Sequence, residues 1–116
     1  MDYERLSPAD ARSQERWRGT AFARVQSGPN VGRIVTVLEF SESGCRLRDS
    51  AFPCEVGDSF HILFENVEPM VVDVRWKQGA FIGLSFRVRL AKPVIEALRR
   101  ETEKPLAERM KRLMER

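Results

Sequence analysis

Residues 31–48 read VGRIVTVLEFSESGCRLR. A β-branched run from Val31 to Phe40 stops at Ser41-Glu42-Ser43-Gly44, and alternation resumes with Cys45 and Leu47 set against Arg46 and Arg48. Such a run, broken by turn formers and then restarted at period two, predicts a strand, a turn and a second strand. The same period extends both ways. Upstream, Ala21, Ala23 and Val25 share a face opposed by Phe22 and Arg24, and Gly28-Pro29-Asn30 marks a turn. Downstream, Phe60, Ile62 and Phe64 oppose His61 and Leu63. Then Val72, Val74 and Trp76 alternate with Asp73 and Arg75, which gives Trp76 a core position. After Lys77-Gln78-Gly79, Ile82, Leu84, Phe86 and Val88 form the last alternating set.

About six short strands with turn signals roughly ten residues apart predict an all-β protein. Both a barrel and a sandwich fit that spacing, and a barrel is the favoured form, because closure hides the sheet edges of so small a domain. After Leu90 the period becomes helical. Pro93 sits at the first turn, and Leu90, Val94, Ala97 and Leu98 form one face. Pro105 interrupts, and Leu106, Met110, Leu113 and Met114 draw a second, narrower apolar stripe. Ahead of the strands, Ser7-Pro8-Ala9-Asp10 has the form of a helix start, but little apolar surface follows it, so a mobile N-terminal arm is expected. The organisation is thus an arm over residues 1–19, a barrel plus helix over 20–100, and an amphipathic helical tail over 101–116.

The chain has 116 residues and a formal charge of +3, with 42% hydrophobic and 32% charged residues, as for one globular domain. Its longest apolar run falls far short of a membrane span, and residues 1–16 are too polar for a secretory signal. No membrane insertion and a cytoplasmic location are therefore expected. Two cysteines, Cys45 and Cys54, make no disulfide framework, and the single histidine, His61, has no metal-ligand companion. No nucleophile–base pair, zinc motif or phosphate loop is present, so catalysis and a cofactor are not expected. Phe60, Ile62 and Phe64 alternate as a core face and net charge is low, so neither DNA nor RNA is an expected partner.

Two motifs remain. Of 20 basic residues only four are lysines, and Arg12-Ser13-Gln14-Glu15-Arg16 holds two arginines four apart. On a helix they project together, suited to phosphates and flat bases. In Glu39-Phe40-Ser41-Glu42-Ser43-Gly44 a carboxylate and a hydroxyl lie two apart on one strand face, and Gly44 would permit a left-handed turn residue. An RxxxR pair, a strand pair, an ExSxxG turn, further strands and a closing helix, in that order, resemble the PilZ domain family. That family carries RxxxR ahead of [D/N]xSxxG on a six-stranded antiparallel β-barrel with a C-terminal helix, which is the fold the resemblance implies here. The resemblance runs from about Arg12 to Leu98, with Val74-Arg75-Trp76 and Ile82-Gly83-Leu84-Ser85-Phe86 similar to the family's last hairpin. It implies binding of cyclic di-GMP. Arg12 and Arg16 would meet guanine and phosphate, Glu39 and Ser41 the guanine edge, and Gly44 the turn. Trp76 would offer a stacking ring as an alternative to its core role. It further implies ordering of the arm over the ligand and relay to a protein effector. Glu39 departs from the usual Asp or Asn, which leaves a nucleotide-free adaptor as the alternative. The oligomeric state stays open.

Overall fold

The structure is a computed structural model and describes residues 17–26, 32–65 and 67–115. Six strands follow in chain order: β1 (Trp17–Gln26), β2 (Arg33–Phe40), β3 (Gly44–Arg48), β4 (Ser59–Leu63), β5 (Met70–Gln78) and β6 (Phe81–Phe86). Two helices complete the chain, α1 (Lys92–Glu101) and α2 (Leu106–Glu115). Every strand pair is antiparallel, and the order β1-β2-β3-β6-β5-β4 closes where β4 returns to β1. The expected six-stranded antiparallel barrel with a C-terminal helix is therefore the observed fold. The expected turn at Gly28-Pro29-Asn30 and residues 1–16 of the expected N-terminal arm lie outside the described residues, while residues 17–19 of that arm belong to β1.

Period-two patterning explains the interior. Ala23, Val25, Val37, Leu47, Ile62 and Val72 all point inward and are fully buried. Each of the Val, Leu and Ile side chains contributes on the order of 1.5–3 kcal/mol through burial, and Ala23 about 0.8 kcal/mol. The barrel ends are filled differently. The β3–β4 connection folds over one end, where Phe52 meets Phe60 edge-on at 5.2 Å. Its start is fixed by Asp49, which accepts two hydrogen bonds from the Arg33 guanidinium, each 2.9 Å, and one from the Ala51 N–H. Those Arg33 hydrogen bonds hold the Asp49 carboxyl below its ordinary range. At the other end Phe64 sits between Phe40 and Phe86, with ring centroids 6.5 Å apart on each side. Leu90 and Leu98 of the C-terminal segment join the same buried core.

The second helix does not stand off as a free tail. Leu113 is 1% exposed. The Arg109 guanidinium lies 5.6 Å from the Phe22 ring and donates to the Thr20 carbonyl at 2.7 Å. The outer face of β1 thus receives one side of the apolar stripe, while Leu106 and Met114 stay exposed. Both cysteines are buried and free, as expected, and burial pushes both thiols up from their ordinary values. Among the described residues, no helix is long and apolar enough to cross a membrane.

Candidate functional site

Three register shifts decide which side chains face outward. On β2, Val37 pairs with Leu47 but Glu39 pairs with Arg46, so Leu38 is an extra residue. On β5, Val74 pairs with Leu84 but Trp76 pairs with Gly83, so Arg75 is extra. A third shift lies on β1 between Arg18 and Ala21. A bulge adds one residue to one strand, and the side chains beyond it swap faces. This corrects the core position expected for Trp76. Strict alternation would place it beside Val74 in the interior, but the bulge at Arg75 turns it outward, where it is 41% exposed.

The same shifts assemble a row. Arg18, Glu39, Arg46, Gly83 and Trp76 are successive register partners across β1, β2, β3, β6 and β5. A groove of about 350 Å³ follows this row on the outer barrel wall. Glu39, Ser41, Gly44 and Trp76 all line it, so four of the six sequence-predicted site residues come together. Arg12 and Arg16 lie outside the described residues.

Each lining residue is positioned by a distinct contact. The turn is short and tied at both ends: the Ser41 N–H donates to the Gly44 carbonyl at 2.9 Å. The Ser41 hydroxyl is buried and accepts from the Ser43 N–H at 3.3 Å. The turn's outer carbonyls receive the chain after β6, with Phe86 N–H donating to Ser43 and Leu90 N–H to Glu42. An ion pair between Arg89 and Glu42 reinforces this seam. Gly44 does not take the expected left-handed conformation; among the described residues the glycines with positive φ are Gly32, Gly57 and Gly79. Its role is close approach, since a Cβ there would sit 2.3 Å from the Leu84 carbonyl oxygen of β6.

Gly83 and Arg46 are two of the lining residues that lie outside the predicted set. At Gly83 a Cβ would fall 2.0 Å from Trp76 Nε1, so the indole lies directly on the bare β6 backbone. A glycine inside a strand pattern signals such an approach, and Gly83 carried that signal. Arg46 faces out between Glu39 and Gly83. Its Nη2 is 3.8 Å from Glu39 Oε2, and its guanidinium lies 5.4 Å from the Phe81 ring. The buried Nε of Arg46 has no hydrogen-bond partner among the described residues. The alternation of Cys45 and Leu47 with Arg46 and Arg48 had already placed it outside.

Chemically the groove offers one flat aromatic surface, guanidinium donors from Arg46 and Arg75, and one carboxylate acceptor. That set suits a planar, hydrogen-bonding ligand with anionic groups. Among the described residues, no group of three or more His, Cys, Asp or Glu side chains could hold a metal ion. No protein-family model matches the chain, and no curated protein matches it.

Proposed function

We propose that this protein is a PilZ-type receptor for cyclic di-GMP in the bacterial cytoplasm, acting by binding and by relay to a protein effector. The observation that carries the reading is the row Glu39–Arg46–Gly83–Trp76, which sets a carboxylate and an indole in one groove beside the Ser41–Gly44 turn. A guanine is a flat ring with donors on one edge and acceptors on another, so this groove matches it in shape and polarity. In this reading Trp76 stacks on the base, Glu39 accepts from its amino and imino edge, and Arg12 and Arg16 meet the phosphates and the other guanine. The arm folds over the ligand as it binds, and the altered surface is what the effector meets.

The test is calorimetric titration of wild type and Arg16→Ala with cyclic di-GMP. Saturable heat in wild type, weakened at least about tenfold in Arg16→Ala, is the expected result. No heat in either protein overturns the receptor reading. The alternative, a nucleotide-free adaptor, draws on one contact: the Glu39 carboxylate already faces Arg46 at 3.8 Å. A Glu39→Asp variant that also gives no heat would favour it.

A further inference from the structure

Arg46 stands in the middle of the row that the groove follows. Glu39 flanks it on β2 and Gly83 on β6, and Phe81 lies under its guanidinium. Its nearest approach to Glu39, 3.8 Å, is too long for a hydrogen bond. Its buried Nε donates to nothing among the described residues. Buried donors are almost always paired in a finished site, so this fork has donors to spare. Gly83 contributes no side chain between Arg46 and Trp76, which stand two strand spacings apart, about 10 Å. A base lying on the Trp76 indole would therefore turn one edge toward Arg46.

We propose that Arg46 determines the base specificity of the groove by donating two hydrogen bonds to O6 and N7 of a guanine stacked on Trp76. The proposal rests on the cyclic di-GMP reading above. Arginine pairs in this bidentate way with guanine because O6 and N7 are adjacent acceptors. Adenine presents an amino donor where guanine has O6, so the same fork meets a donor there and one hydrogen bond is lost. Glu39, adjacent in the row, accepts from the N1 and N2 donors of guanine, which adenine lacks. The cation and the carboxylate thus read two neighbouring edges of one base, and both reject adenine.

Wild type, Arg46→Ala and Arg46→Lys would each be titrated with cyclic di-GMP and cyclic di-AMP, with circular dichroism confirming the fold. Wild type is expected to prefer the guanine ligand by on the order of a hundredfold. Arg46→Ala should lose about tenfold toward cyclic di-GMP while changing cyclic di-AMP binding little, so the preference falls to about tenfold, the share held by Glu39. Arg46→Lys keeps the charge but not the fork, and should recover little of it; it carries the test if the alanine variant does not fold. Wild type that binds cyclic di-GMP, with its preference intact in both variants, overturns the role of Arg46 and leaves the receptor reading standing. Wild type that binds both ligands equally also overturns it. Wild type that binds neither overturns the receptor reading, and this inference with it.

Discussion

The two walls of the barrel are finished in opposite ways. On the β1 wall an outward aromatic, Phe22, is covered by α2, whose Arg109 stacks on it and ties down the Thr20 carbonyl while Leu113 is buried. The β3–β6–β5 wall carries the groove. Glycines at 44 and 83 thin the surface instead, and Trp76 lies across the gap with one face left to solvent. One wall uses side chains to close; the other omits them to open. The difference teaches where binding can occur: a groove needs a rigid floor without a lid, and cross-strand glycines in a closed barrel supply one.

Substitutions can break this contrast, and the largest effect is expected at Gly44. Gly44→Val must push β3 from β6, because even a Cβ meets the Leu84 carbonyl at 2.3 Å. A loss of about 3 kcal/mol is expected in denaturant unfolding, together with loss of ligand binding. Leu113→Ala tests the closed wall. It should cost about 2 kcal/mol through an unfilled contact on β1, yet leave Trp76 emission unchanged. A shifted Trp76 signal would show that the two walls are not independent.

Acid tests the ion pairs that frame both walls. Hydrogen bonds from Arg33 depress the Asp49 carboxyl, and those from Arg87 depress Asp73. A folded pKa below the unfolded value, about 3.9, means full stabilisation above that pH and loss as pH falls through the lower folded values. Unfolding midpoints should therefore drop below about pH 4, and Asp49→Asn should flatten part of that drop at a cost near 1 kcal/mol at neutral pH. The smallest stability effect is expected at Gly83→Ala, within about 1 kcal/mol, because the indole can swing aside. Its signature is spectroscopic: Trp76 emission moves to longer wavelength as the ring lifts into solvent.

Much of this architecture is legible in the sequence. Ala21, Ala23 and Val25, like Phe60 and Ile62, alternate cleanly because they pair in unbroken register. The turn at 41–44 is equally plain from Ser and Gly. Trp76 was not legible, since its face depends on a bulge at Arg75 that is fixed by pairing with β6 and leaves no mark on local periodicity. Gly44 was placed in the right turn for a different reason: its constraint is a neighbouring strand, not its own φ. The stripe on α2 was visible, but its partner was not, because Leu113 reaches a strand nearly the whole chain away. Arg46 needed the row across four strands before its position between Glu39 and Trp76 acquired meaning.

The central claim is that the open wall binds a guanine on Trp76. The chain has two tryptophans, so Trp17→Phe leaves Trp76 as the sole indole reporter. Titrating that variant with cyclic di-GMP should quench Trp76 emission saturably, with an affinity equal to that from calorimetry. Emission that stays unchanged while calorimetry records binding would contradict the claim, because the ligand would then lie elsewhere on the barrel.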